Sequence, residues 1–357
     1  MANVSTRSTE GTAPVPGAER RPGLETFRVL VSTDLGGDPD DIQSLVHLLH
    51  YSDVLKVEGI ISTAGPGSTP RAENVRHWVR RTDLDHLRRR GYVELMSEAD
   101  VLAVVKQGAL AARAPGPGGE TEGSQWIVQQ AHASDPLHVR GSGHRPEGKG
   151  RPLWVLVWGS LTDVAQALHD DPTTADRIRI YYIGSSNTVN DPASRDYVFN
   201  GMRDKWTDLW WIENGILPKL SHDTFRGYYL GGDQSGEWGN RSFVEHNIRG
   251  HGTTHGGEFA EKLGDALPLA SWPEGVLKEG DTPSFLYLLS SPIGGVGDVD
   301  DPTGESWGGR FRRPYPDLYP NYYTDLGASA KECQATINRW RVAYLSDWKQ
   351  RWDRYDE

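Results

Sequence analysis

Apolar positions along the chain fall into short continuous runs that alternate with stretches of helical spacing. Residues 29–31 (VLV) form an apolar, largely β-branched run, as expected of a strand buried on both faces. Ile42, Leu45, Val46, Leu48 and Leu49 then recur at helical spacing. Residues 57–61 (VEGII) read as a second buried strand, ending in the polar loop Ser62, Thr63, Ala64, Gly65. Residues 71–90 are charged and helical in character, 93–96 (VELM) suggest another strand, and 99–107 another helix. Residues 112–150 are mostly loop around one helix near 126–133. Residues 153–157 (LWVLV) are a buried strand, turning at 159–162 into a helix over 163–168. Residues 178–183 (IRIYYI) are the next strand and end in Gly184, Ser185, Ser186 and Asn187. Beyond Trp206 the pattern blurs. Residues 208–214 predict a helix that packs through Trp206, Trp210 and Trp211, 243–257 a His- and Gly-bearing loop, and 282–289 a helix starting at Asp281. A Gly/Pro/Asp loop at 294–320 precedes an amphipathic terminal helix over 328–355. This alternation predicts an α/β, Rossmann-like fold: a mostly parallel sheet with helices on both faces. Without an internal repeat or a convincing linker, one domain is expected over residues 26–357, behind a disordered tail at 1–25.

Composition narrows the class. The hydrophobic fraction of the 357 residues is only 36%, but 13 Trp, 14 Tyr and 7 Phe can carry much of a core. A formal net charge of −11 argues against nucleic acid or an anionic membrane as a partner. The single cysteine, Cys333, excludes an intramolecular disulfide and a cysteine-rich metal site. No run of about 18 apolar residues occurs, and the N-terminus has no apolar h-region. The expectation is a cytoplasmic protein with a small-molecule partner, for which a homo-oligomer is also compatible.

The candidate chemistry is concentrated at residues 29–41, VLVSTDLGGDPDD. Asp34, Asp38, Asp40 and Asp41 lie where a strand gives way to a helix, the strand end at which open α/β sheets place their ligand crevices. Four carboxylates so close together cost energy unless a cation neutralises them, and a hard ion such as Ca²⁺ takes oxygen ligands. The alternative is a solvated acidic turn in which Asp40 or Asp41 caps the helix.

Four further segments join this turn in a pattern that resembles the nucleoside hydrolases, and more closely the nucleoside hydrolase-like branch that includes a cellulose-binding protein. The DPDD turn is similar to the family's amino-terminal DxDPGxDD cluster, with two extra residues after Asp34. VWGSLTDVAQAL (157–168) resembles ATGPLTNIALAL, VFNGMRD (198–204) resembles EFNxxxD, and EGDTPSFLYLL (279–289) resembles the late HD segment that opens a helix. SWGGRF (306–311) is typical of the nucleoside hydrolase-like branch. The resemblance implies one Ca²⁺, held by Asp34, Asp41, Asp281 and the carbonyl of Trp158. It implies that Asp40 and Asn200 bind ribose hydroxyls, with Asp204 part of the same segment. It implies a Ca²⁺-dependent N-ribosyl hydrolase in which Asp34 orients and deprotonates the attacking water as an oxocarbenium-like state forms.

Departures from the family pattern fall on the leaving-group side. The histidine before the late aspartate is missing, and Glu279 and Gly280 stand in its place; Val198, Pro66 and Ser32 replace other polar positions. A desolvated Glu279 could serve as general acid, or it could be a helix N-terminal charge. His251 is a second candidate acid. With His255 it shares a loop whose four glycines argue against the helical spacing a zinc pair needs. Asp38 is an outer ligand or a turn residue. His47 and His50 are expected at the surface or in packing. Trp158 and Trp307 are the tryptophans expected near the pocket, and the glycines of SWGGRF allow close backbone approach or a plain turn. Two other functions stay open: a carbohydrate- or ribose-binding protein without turnover, and a lyase or transferase using the same oxocarbenium chemistry.

Overall fold

The computed structural model of the chain describes residues 26–134, 151–215, 223–268, 276–327 and 329–356. The tail expected at 1–25 and the end of the loop expected at 112–150 lie outside them. Among the described residues, eight strands form one sheet: β1 (Phe27–Thr33), β2 (Leu55–Ser62), β3 (Val105–Gln107), β4 (Leu153–Val157), β5 (Ile178–Ile183), β6 (Trp210–Asn214), β7 (Phe311–Arg312) and β8 (Tyr322–Asp325). Their order is β3-β2-β1-β4-β5-β6-β8-β7, with every pairing parallel except β7 with β8.

The apolar runs follow from a sheet covered on both sides. All residues of β1 and β4 are buried. Successive side chains alternate between two cores, as a period of two requires. Val29, Val31, Trp154 and Leu156 belong to one core, with Leu45, Leu48, Phe285 and Trp348. Leu30, Leu153, Val155 and Val157 belong to the other, with Ile127, Val164, Leu168 and Met202. The helices Asp40–Leu49, Pro283–Leu289 and Arg341–Asp353 thus cover one face, and Glu122–His132, Thr162–Asp170 and Pro192–Asp204 the other. The sheet is the α/β arrangement expected.

Several local expectations are corrected. Residues 93–96 form turns, with Val93 exposed, and the third strand is β3, whose sequence had been joined to the preceding helix. That helix is only Glu98–Ala103. The tryptophan pair at 210–211 belongs to β6, not to a helix, and the two rings enter different cores. A strand buried on both faces has no polar side, so its periodicity cannot be told from that of a buried helix. The terminal segment is two helices, Ala330–Asn338 and Arg341–Asp353, and part of the loop expected at 243–257 is the helix Asn240–Asn247.

The last helix is bound tightly to the first. Trp348 stacks on His47 at 3.7 Å between ring centroids, and its Nε1 donates to His50 Nδ1. Arg351 pairs with Asp53 at 2.8 Å. Both histidines are fully buried, and burial holds their pKa values well below the usual range. They are therefore core residues rather than surface ones. Asp325, at the end of β8, accepts from the backbone N–H groups of Gly215 and Thr224.

Candidate functional site

Chain order reverses between β1 and β4, so the helices leaving these strands diverge and a crevice opens at their C-terminal ends. Asp34 is the first residue after β1. The helix that follows is capped by Pro39, with Asp40 and Asp41 in its first turn, where the helix dipole favours negative charge. Neither acid is the cap. A distant segment joins them. Lys278 N donates to Gln43 Oε1 at 2.8 Å and Thr282 Oγ1 to Ser44 Oγ at 2.9 Å, which fastens residues 278–282 to the first helix and delivers Asp281.

Asp40, Asp41 and Asp281 each offer one oxygen within 4.8 Å of the others. Asp34, Asp41 and Asp281 are 7%, 3% and 2% exposed. Thr33 Oγ1 donates to Asp41 Oδ1. Asp34 fills space left by two glycines: a Cβ on Gly65 would fall 1.5 Å from Asp34 Oδ2, and one on Gly159 2.8 Å from Asp34 Cβ. The loops after β2 and β4 are therefore glycine-bearing where they face Asp34, and its carboxylate has little freedom to move.

Burial pushes the carboxyls of Asp34 and Asp281 well above the usual range, helped by the charges of Asp41 and Asp38 and, for Asp281, that of Asp34. Burial also raises Asp41, to about 6, against the hydrogen bonds from Asp34 and Thr33 that favour its ionised form. Such a cluster holds protons unless a cation replaces them. Asp281 Oδ2 is buried without a hydrogen-bond partner, a costly state for a carboxylate oxygen. An all-oxygen donor set with an orphaned carboxylate oxygen suits a hard divalent ion such as Ca²⁺ better than zinc.

These acids line a cleft at the C-terminal ends of the strands. The rest of the lining contains Ser186 and Asn187 after β5 and Phe225, Arg226 and Tyr229, with Lys278 beside the acids. Asn187 Nδ2 donates to the carbonyl of Trp158 at 2.5 Å and to that of Ile183 at 3.0 Å. The Trp158 carbonyl, expected as a metal ligand, retains a second lone pair. Lys278 Nζ pairs with Asp38 and lies 3.4 Å from Asp40 Oδ2. Sequence reasoning gave no role to Arg226, Tyr229 and Lys278, which have no motif; Asn187 was legible only as the end of a strand-end loop.

The remaining expected site residues stand elsewhere. The Trp158 indole is buried, with Nε1 donating to Ser284 Oγ, so this residue meets the cleft without offering its ring for stacking. Glu279 does not line the cleft: it is fully buried and lies 2.9 Å from His47 Nδ1. Burial raises its carboxyl and lowers the His47 imidazole, which favours the uncharged form of each. At the next position, a Cβ on Gly280 would meet Asp40 Oδ2 at 2.8 Å, so a histidine there would press on the acid cluster. His251 Nδ1 lies 2.6 Å from Asp356 Oδ2, and the residue is not among those lining the cleft. Asn200 and Asp204 are exposed on the helix Pro192–Asp204, with Asp204 paired to Arg203, because the buried positions Val198, Gly201 and Met202 turn the opposite side of that helix inward. Trp307 is core, beside Tyr344. His255 bridges Glu98 and Glu258 on opposite ring nitrogens, an arrangement that separates the carboxylates.

Residues 28–311 match the family described as "Cellulose-binding Sde182, nucleoside hydrolase-like domain". A nucleoside hydrolase-related hypothetical protein from Saccharophagus degradans, associated with carbohydrate metabolism, is a structural relative at 22% identity and a TM-score of 0.63, over 93% of this chain and 72% of its own. The effector protein XOO4466 aligns at 12% identity and a TM-score of 0.52, over 92% and 94% of the two chains. An inosine-guanosine nucleoside hydrolase aligns at 12% and 0.50, over 91% and 99%. At such identities the likeness is one of fold. No curated protein matches the sequence.

Proposed function

The chain belongs to that family of nucleoside hydrolase-like domains, and from this premise we propose that its cleft hydrolyses an N-glycoside, an N-riboside in the first instance, with Ca²⁺ as cofactor. The observation that carries the proposal is the meeting of Asp40, Asp41 and Asp281 beside a confined Asp34 at the sheet's switch point. Asp34, Asp41, Asp281 and the Trp158 carbonyl would hold the ion, with Asp40 at the same cluster. A bound Ca²⁺ supplies positive charge that lowers the pKa of a nearby water and favours vicinal hydroxyls. Asp34, pinned by Gly65 and Gly159, orients that water and accepts its proton. The water oxygen bonds to the anomeric carbon as the carbon–nitrogen bond breaks and the base departs with the bonding pair. Asp40 accepts a hydrogen bond from a sugar hydroxyl. Asn187 braces the Trp158 carbonyl.

No histidine lines the cleft among the described residues. On this reading a departing purine or pyrimidine has no histidine as general acid, and loss of a general acid costs about 10²–10⁴-fold. The test compares kcat/KM for a nitrophenyl riboside with that for inosine and uridine. Phenolate leaves as a stable anion, so the activated riboside is expected to be much faster. Equal rates would overturn the assignment of a missing acid. Absence of turnover on all three, with calcium-dependent ribose or oligosaccharide binding, would instead favour a carbohydrate-binding protein. That second reading is supported by the same gap in the cleft wall.

A further inference from the structure

The cleft that holds the carboxylates is also lined by cationic side chains that the proposed hydrolysis does not use. Arg226 donates Nε to Asp223 at 2.9 Å and Nη1 to the Tyr229 hydroxyl at 2.8 Å. The other N–H groups of its fork have no partner among the described residues, and the side chain lines the cleft at 29% exposure. Phe225 lies beneath the guanidinium at 5.0 Å and helps fix its plane. Lys278 lines the same cleft, beside Asp38 and Asp40. Its main partner, Asp38, is 54% exposed, so that pair is weak and readily exchanged. Cation binding at Asp40, Asp41 and Asp281 would also remove much of the attraction that draws Lys278 toward Asp40.

We propose that Arg226, Lys278 and Tyr229 form a subsite for a negatively charged group on the substrate, a carboxylate or a phosphate, so that the ligand is an anionic glycoside rather than a neutral nucleoside. A planar guanidinium with free N–H groups matches either oxyanion, an ammonium adds a point charge, and the Tyr229 hydroxyl holds the guanidinium in place. The net charge of −11 means that the whole-protein field does not attract such a ligand. Selectivity must come from these short contacts. The inference rests on the glycoside reading, and its test separates the two.

With Ca²⁺ present, calorimetry compares ribose with ribose 5-phosphate, and steady-state kinetics compares nicotinamide riboside with nicotinic acid riboside, which carries a carboxylate in place of the amide. The expected result is a preference of about tenfold or more for the anionic member of one pair, the effect of one charge-assisted hydrogen bond. The pair that shows it identifies phosphate or carboxylate. In Arg226→Gln and Lys278→Met the preference should fall to within about twofold. A purely structural role would weaken both members of a pair together and leave the ratio intact, which would overturn the assignment to these residues. Equal affinities in both pairs with ribose still bound would overturn the subsite and leave the glycoside reading standing. Binding of none of the four would overturn both.

Discussion

The acidic wall of the cleft and the rest of its lining differ in origin and rigidity. The acidic wall takes Asp34, Asp40 and Asp41 from one strand–turn–helix unit and adds only Asp281 from afar. Its carboxylates are nearly buried and are hemmed in by Gly65, Gly159 and Thr33. The rest of the lining is assembled from three separated segments, and its cations stay partly open to solvent, Arg226 at 29% and Lys278 at 18%. Buried like charges need a fixed frame and a counter-ion, so the acidic wall tolerates little change. Arg226 and Lys278 are partly solvated and each is held mainly by one carboxylate, Asp223 and Asp38, so a change there breaks an ion pair and leaves the acid cluster in place.

The largest expected effect breaks the acidic wall at its base. Asp34→Asn should lower kcat on the activated riboside by about 10²–10⁴-fold, since the variant cannot accept the water's proton. A loss of less than tenfold by steady-state assay would show that another group accepts it. Asp41→Ala should come next. If Ca²⁺ at about 100 times its Kd stabilises the fold by about 2.7 kcal/mol, the variant should forfeit that increment. Thermal melts with and without chelator measure it, and a wild type indifferent to chelator would count against a bound ion.

Acid titration sharpens the contrast further. Burial raises Asp41 from 3.8 to about 6 and raises Asp34 and Asp281 in the same direction. A raised carboxyl contributes stability that is present below its unfolded pKa and is lost as pH rises through its folded one. Chelated protein should therefore lose stability between about pH 4 and 6, by about 3 kcal/mol for Asp41. The rise in melting temperature on adding Ca²⁺ should be larger at pH 7.5 than at pH 5. A calcium effect that shrinks as pH rises would contradict this. The smallest effects belong to residues outside the cleft lining. His251→Gln and Asn200→Ala should keep kcat/KM within about twofold and stability within about 0.5 kcal/mol. A tenfold loss in either would mean that the cleft extends further than its described lining.

This contrast also explains what could be read from the amino acids. The acidic wall was legible because local order along the chain carries it: an apolar run, a turn with acids, a helical pattern. β1, β2, β4 and β5 were legible for the same reason. Asp281 needed the resemblance, because its approach depends on Gln43 and Ser44, far away in the chain. Arg226, Tyr229 and Lys278 belong to no periodic pattern, and only tertiary placement makes them neighbours. Asn200 and Asp204 matched a motif by spelling, but their helix turns them to solvent. Glu279 was misplaced because spacing does not say which side of a loop a side chain enters. The tryptophans of β6 show the remaining weakness: an apolar run without a polar face carries no period.

The family match stops at residue 311, but the architecture does not. β8 lies beyond that point, as do Asp325, which ties down Gly215 and Thr224, and Trp348, which covers His47. A protein shortened to the matched segment would leave β6 as an unprotected sheet edge, open to pairing with other chains. It would also uncover the back of the helix that presents Asp40 and Asp41. The segment that carries the kinship is therefore smaller than the one that can be produced intact. Expression, crystallisation or fusion work should set its C-terminal limit beyond Tyr355, whose buried hydroxyl bonds His50 and the carbonyl of Thr82.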